Sequence, residues 1–117
     1  MILGVHALWY ATDAERVRAF LRDVLDLPSV DAGHGWLIFG LPPAELGIHP
    51  AEGEPRHELF LMCDDLEATI AELKRKGVTC GPIQDASYGR VTTIPVPGGG
   101  DLGLYQPRHP TALHLKR

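Results

Sequence analysis

The sequence of 117 residues is poor in cysteine, in long apolar runs and in net positive charge, and each shortage excludes a class of protein. Two cysteines and no recognisable signal peptide predict reduced thiols and a cytoplasmic location. The apolar runs are short and broken by glycine or charged residues, so we expect no membrane-spanning segment. The formal net charge is -4 and the basic residues form no patch, so we expect no nucleic-acid partner.

What the sequence does contain is enough apolar residues for one domain of 117 residues with its own core. Two amphipathic helices are predicted, and a capping box opens each of them: Thr12 with Glu15, and Asp64 with Glu67. The residues 84–89 are predicted to form a loop. Strands are predicted at 2–10, 29–31, 36–41, 45–49, 57–63, 78–83, 90–96 and 101–105.

One short pattern occurs twice, at 45–49 and at 101–105: an acidic residue, leucine, glycine, an aliphatic residue, and then histidine or tyrosine. Because side chains alternate between the two faces of a strand, the first, third and fifth residues of each copy share one face. These residues are Glu45, Gly47 and His49 in the first copy and Asp101, Gly103 and Tyr105 in the second. The helix starts repeat at an offset of 52 and these strands at an offset of 56.

The repeat predicts an α+β fold with two tandem βαβββ modules, about 1–50 and about 57–107, joined by a proline-rich linker at 50–56 and followed by a tail at 108–117. A single module cannot bury both the apolar stripe of its helix and one face of a small sheet. Two modules related by a pseudo-twofold axis can do so. We therefore predict a curled mixed sheet, shaped like a cup, with the helices outside.

The repeated βαβββ unit, the histidine in the first strand and the Pro-Gly-rich turn into a closing Leu-x-Leu-x-Gln-Pro strand resemble the vicinal oxygen chelate superfamily. This group includes glyoxalase I, bleomycin and fosfomycin resistance proteins, and extradiol dioxygenases. The resemblance implies a small-molecule ligand and a homodimer, and it leaves two activities open. One is a metal-dependent enzyme acting on vicinal oxygens, either a glyoxalase-like lyase or isomerase or an extradiol-type dioxygenase. The other is a metal-free binding or resistance protein that sequesters its ligand without turnover.

The resemblance also implies where a divalent zinc, nickel, manganese or iron ion would bind. The superfamily's ligands lie on the first and last strands of each module, and its first-strand positions fall on His6 and Glu58. The closing-strand positions fall on Gly47 and Gly103, which have no side chain to offer a metal. A shift of register would bring Glu45 to the closing-strand ligand position that Gly47 occupies. His6, Glu45 and either His57 or Glu58 would then form a three-ligand site.

Without a metal, His6 and Glu58 could act as a catalytic acid–base pair. Two interpretations of the two glycines stay open: they widen the floor of the cup, or they let two strands or an edge pack closely at the module interface. His34, His109 and His114 are expected to be solvated. If strand parity is unbroken, the predicted ligand pocket is lined by Leu8, Tyr10, Gly47, His49, Phe60, Met62, Gly103 and Tyr105.

Overall fold

The computed structural model describes residues 6–48, 50 and 52–114. Two helices and a mixed sheet that is not closed into a barrel confirm the predicted α+β class. No helix in these ranges is both long and apolar enough to cross a membrane. In chain order, the elements are α1 (Ala14–Asp23), β1 (Ser29–Asp31), β2 (Leu37–Phe39), β3 (Phe60–Met62), α2 (Leu66–Arg75), β4 (Gln84–Ala86), β5 (Gly89–Val96) and β6 (Gly100–Pro107).

Both helices begin one residue later than their capping boxes predict. Asp13 is the N-cap of α1, and its side chain accepts a hydrogen bond from the backbone N–H of Arg16. Asp65 is the N-cap of α2 and accepts in the same way from Ala68. The hydroxyl of Thr12, the predicted cap, donates instead to a backbone carbonyl of a distant turn. The two observed caps are still 52 residues apart and each opens a ten-residue helix, which confirms the offset between the modules.

The second module forms a four-stranded sheet in the order β3-β6-β5-β4. β3 runs parallel to β6, with Phe60 opposite Gly103 and Met62 opposite Tyr105. The other pairs are antiparallel. The predicted strand at 78–83 is wrong, and β4 comes from the predicted loop at 84–89. β4 pairs with β5 through a tight turn. In 78–83, only Gly81 bonds to β5: its N–H donates to Thr93 O, and its carbonyl accepts from the Thr92 hydroxyl.

The first module is built differently from the second. β1 and β2 pair as an isolated antiparallel hairpin. The predicted strands are wrong at 6–10 and 45–48, which have no regular structure; residues 2–5 and His49 lie outside the described residues. The chain at 9–13 instead contacts the β5–β6 turn, where the Trp9 indole N–H donates to Gly99 O at 3.0 Å and the Asp13 N–H donates to Gly98 O at 3.1 Å.

The core joins α1 to the second module. Val17 of α1 packs against the β5–β6 turn so closely that a Cβ placed on Gly99 would lie 2.7 Å from a Val17 methyl carbon. Glycine therefore lets the first helix approach the sheet of the second module. The buried apolar residues are Val17, Phe20, Leu66, Leu73, Val78, Ile94, Val96, Leu102 and Leu104.

Candidate functional site

Three polar side chains meet at the end of β6, and one of them, Glu45, comes from a distant part of the sequence. The hydroxyl of Tyr105 lies 3.2 Å from Nε2 of His109. Oε2 of Glu45 lies 3.8 Å from the same ring nitrogen, and Oε1 of Glu45 accepts a hydrogen bond from the backbone N–H of Ala112 at 2.8 Å. Together with Phe60 and Tyr88, whose rings contact Tyr105, these side chains are called the Tyr105 cluster below.

The hydrogen bonds of His109 fix its tautomer when the ring is neutral. Its Nδ1 lies 2.8 Å from the carbonyl oxygen of Pro110. A carbonyl can only accept, so Nδ1 carries the proton and Nε2 is left as an acceptor. The Tyr105 hydroxyl therefore donates to Nε2. Protonation of the ring would place a second N–H at Nε2, facing Glu45 and Tyr105.

Aromatic rings flank Tyr105 on two sides. The Phe60 and Tyr105 centroids are 5.8 Å apart with their planes at 88°, and those of Tyr88 and Tyr105 are 6.3 Å apart at 73°. Both are the edge-to-face arrangement that aromatic pairs favour. Phe60 is 40% exposed and Tyr88 is 49% exposed. The cluster therefore presents aromatic surface to a ligand from solution.

The electrostatics of the cluster keep Tyr105 in its phenol form. Partial burial raises the pKa of its hydroxyl above the usual value, and the nearby Glu45 and Tyr88 raise it further. An ordinary tyrosine already ionises far above neutral pH. Tyr105 can thus donate or accept a hydrogen bond near neutral pH but is a poor general base.

The chain segment after β6 closes the cluster. The backbone N–H of Arg108 donates to Tyr88 O at 2.8 Å. The Arg108 guanidinium pairs with the carboxylate of Asp85 and donates to Ala86 O at 3.0 Å. This pairing lowers the pKa of Asp85. From this anchor on the β4–β5 hairpin, the tail continues to Ala112 and its contact with Glu45.

Comparison with known proteins identifies the architecture around this cluster. No family model matches the sequence, and no curated protein matches it significantly. Among solved structures, TnmS3, an antibiotic binding protein from Streptomyces sp. CB03234, has 22% identity and a TM-score of 0.63, with 92% of this chain and 99% of that one covered. A member of the glyoxalase/bleomycin resistance protein/dioxygenase superfamily from Sphaerobacter thermophilus DSM 20745 has 22% identity and a TM-score of 0.62, with 90% and 98% covered.

The chain has the fold of this superfamily. A lactoylglutathione lyase from Agrobacterium tumefaciens has the same fold, with 22% identity, a TM-score of 0.56, and 86% of this chain and 92% of that chain covered. The resemblance predicted from the repeated unit and the closing strand is thereby confirmed for the fold.

The residues to which the superfamily's metal ligands map are dispersed or otherwise engaged. His6, His57 and Glu58 are exposed, and Glu58 pairs with Arg56 at 3.0 Å. Both carboxylate oxygens of Glu45 face the tail. Across 6–48, 50 and 52–114, no three His, Cys, Asp or Glu side chains are placed to hold a metal ion. The structure thus does not bring His6, Glu45 and either His57 or Glu58 into one three-ligand site, and these described residues do not fit the superfamily's metal.

The predicted pocket residues divide into two groups. Phe60, Gly103 and Tyr105 come together, and half-buried Met62 lies opposite Tyr105 in the sheet. Three others form no wall with them: Leu8 is 71% exposed and Tyr10 is 89% exposed, and a Cβ on Gly47 would meet nothing within 4 Å. His49 lies outside the described residues.

The prediction that Gly103 widens the floor of the cup is wrong. The Phe60 ring occupies the space that a side chain at position 103 would need, since a Cβ there would lie 2.5 Å from Phe60 Cε1. The alternative prediction holds in part for this glycine: two strands pack closely at Gly103, but both belong to the second module and not to the interface between the modules. Two surface hollows lie away from the cluster, one beside Arg18 and Arg22 and one beside Val30 and Ile38. The exposed rings of Phe60 and Tyr88 make the cluster an open surface.

Two residues of the cluster were not among the candidates from the sequence. His109 was expected to be solvated in the tail, and Tyr88 was assigned to a loop. A local signal did exist for His109, because it follows Tyr105 by four residues just after a proline that ends the strand. Its contact with Glu45 could not be read from spacing, since these residues are far apart in the sequence.

Proposed function

We propose that this protein binds a small aromatic molecule at the Tyr105 cluster without a metal ion. The observation that carries the proposal is the position of Tyr105 between two half-exposed rings, Phe60 and Tyr88, with Glu45 and His109 beside its hydroxyl. A ligand ring that packs edge-to-face against these rings would gain about 0.5–1.5 kcal/mol per aromatic pair beyond its buried area. The Tyr105 hydroxyl and the Glu45 carboxylate would orient its polar groups.

The residues at the two closing-strand positions support binding without a metal ion. At the two positions where the superfamily supplies a carboxylate, this sequence has Gly47 and Gly103, and the ring of Phe60 covers the second of them. An aromatic ring therefore lies where a carboxylate would be needed to coordinate a metal ion. That a solved structure with this fold is described as an antibiotic binding protein is consistent with binding as the function.

The metal-dependent activities remain the alternative, with His6 and Glu58 as the first-strand residues that would take part. The predicted homodimer and the predicted cytoplasmic location stay predictions. A fold similar to that of a lactoylglutathione lyase at 22% identity does not by itself show that this chain has lyase activity.

A fragment screen observed by NMR tests the proposal. The full chain, labelled with ¹⁵N, is titrated with soluble aromatic fragments, beside Tyr105→Leu and the control Tyr10→Leu, which changes a tyrosine that is 89% exposed. We expect fragments to shift the resonances of residues 60, 88 and 105 and to bind the control as they bind the wild type. Loss of binding in Tyr105→Leu alone would support the site. Equal binding by the two variants would contradict it.

Metal content decides between the proposal and its alternative. Protein purified without a metal-affinity tag is reloaded with zinc, nickel, manganese or iron(II), and the bound metal is measured by plasma mass spectrometry beside His6→Ala. We expect no metal above background in either protein. Stoichiometric metal that is lost in His6→Ala would overturn the metal-free proposal and direct the work to lyase and dioxygenase assays.

A further inference from the structure

The tail occupies the one carboxylate of the Tyr105 cluster. Oε1 of Glu45 accepts the backbone N–H of Ala112, and Oε2 faces Nε2 of His109. The side chain of Glu45 is only 17% exposed although its segment has no regular structure. The tail and the residues around it therefore shield a charged group that would otherwise be open to ligand and water.

The tail satisfies this carboxylate incompletely. Among the described residues, His109 is the only basic side chain within 4 Å of Glu45. While the imidazole is neutral, it offers Glu45 no positive charge, since its Nε2 accepts from Tyr105. Within the part of the chain that the structure describes, the carboxylate then accepts a single hydrogen bond, from the backbone N–H of Ala112. A partly buried carboxylate with one neutral donor favours a cation, because charge–charge contact in such a place is stronger than a bond to a neutral amide.

We propose that the tail is a built-in competitor at this site, and that an organic cation carrying an aromatic ring displaces Ala112 from Glu45 when it binds. This inference rests on the proposed function, and it adds the charge of the ligand and the event that opens the site. The ring would pack on Phe60 and Tyr88, and the cationic group would take the place of the Ala112 N–H.

The tail is attached separately at Arg108, at His109 through the Tyr105 hydroxyl, and at Ala112, which makes a partial release feasible. Arg108 is held by the β4–β5 hairpin through Asp85, Ala86 O and Tyr88 O. Within 6–48, 50 and 52–114, the backbone N–H of Ala112 is bonded by Glu45 alone. The contact at Ala112 can therefore break while the Arg108 anchor stays in place. The core residues lie elsewhere, so this release costs no core packing.

Two probes of similar shape and different charge test the inference: benzyltrimethylammonium, a cation, and benzyl alcohol, which is neutral. The ¹⁵N-labelled full chain is titrated with each. We expect the cation to move the amide resonance of Ala112 and benzyl alcohol to leave it in place. Glu45→Gln keeps an acceptor for Ala112 but loses the charge, so it should lose the preference for the cation over benzyl alcohol.

Substitution of Ala112 separates competition from simple contact. Ala112→Pro removes the N–H that bonds Glu45, and Ala112→Gly keeps it. Because a net hydrogen bond to a charged group is worth about 1.5–3 kcal/mol, Ala112→Pro should bind the cation about ten- to hundredfold more tightly than Ala112→Gly. Both changes lie in an exposed segment outside the core.

Each outcome has a distinct meaning. Equal cation affinity in the two Ala112 variants, or an Ala112 amide that does not move at saturation with the cation, would overturn displacement of the tail and leave the aromatic site standing. Failure of both probes to shift residues 60, 88 or 105 in every variant would overturn the proposed function as well.

Discussion

The ring of Phe60 lies over the backbone of Gly103, its partner on the neighbouring parallel strand. A Cβ at position 103 would be 2.5 Å from Phe60 Cε1, closer than carbon atoms pack. Gly47 is the matching glycine of the repeated pattern, and a Cβ there would meet nothing within 4 Å. The two glycines thus have different physical roles: close packing requires Gly103, and no contact requires Gly47.

Gly103→Ala should therefore destabilise the protein while Gly47→Ala should not. The added methyl group must push the Phe60 ring aside, and such overpacking costs about 1–3 kcal/mol. The ring is 40% exposed and can swing towards solvent, so we expect the lower part of that range. Gly47→Ala should change the free energy of unfolding by less than about 0.5 kcal/mol. Urea denaturation of both variants measures the difference.

A double variant checks that Phe60 is the cause. With Phe60→Ala already in place, Gly103→Ala should cost much less, because the obstructing ring is gone. An equal cost with and without the ring would show that backbone conformation, and not the Phe60 contact, controls this position.

The second prediction concerns the start of α2, where two aspartates stand side by side. Asp65 accepts from the Ala68 N–H at 3.0 Å, whereas Asp64 lies one residue outside the cap. Asp65→Ala should lower the free energy of unfolding by about 1 kcal/mol, the usual cost of losing a cap. Asp64→Ala is the matched control and should cost little. A larger loss at Asp64 would mean that the capping box predicted from the sequence is formed in solution.

The helices could be predicted from the sequence because their signals are local. Apolar residues at helical spacing place Val17 and Phe20 on the buried side of α1, and both are buried. The exact cap was missed because Thr12 and Asp13 are both good caps, and a tertiary contact decides between them. The Thr12 hydroxyl is taken by Gly98 O, which no spacing rule reveals.

The strands of the first module show why apolar composition is not enough. The segment 6–10 has the residues of a strand, but a strand exists only where a neighbour supplies hydrogen bonds. Trp9 instead donates its indole N–H to Gly99, on the β5–β6 turn. In the other direction, the predicted loop at 84–89 has turn residues, and its first three residues still form β4, since β5 offers an edge for them to pair with.

The candidate site was predicted only in part, because local sequence does not show which segments become neighbours in the fold. The repeated pattern pointed to Glu45 and Tyr105, which the structure brings to one cluster. The residue that links them, His109, lies in the tail, and only the path of the folded tail places it there. Sequence patterns identified Glu45, Phe60 and Tyr105 and missed Tyr88 and His109, which reach the cluster from the β4–β5 turn and from the tail.

The last prediction is a dependence of stability on alkaline pH that originates at Tyr105. Burial, followed by Glu45 and Tyr88, raises the pKa of its hydroxyl above the ordinary value of 10.0. The folded state therefore holds this proton more tightly than the unfolded state does. Between the unfolded and the folded pKa, the folded chain carries more protons, so the free energy of unfolding must fall as pH rises through this interval.

Two variants isolate this effect. Tyr105→Phe removes the titrating group, so its free energy of unfolding should fall less steeply above pH 10 than that of the wild type. Glu45→Gln removes one of the charges that raise the pKa, so phenolate absorbance from Tyr105 should appear at lower pH than in the wild type. If Tyr105→Phe instead abolished the most easily ionised tyrosine in the absorbance titration, Tyr105 would have a lowered pKa, and its role as a permanent hydrogen-bond donor in the cluster would be refuted.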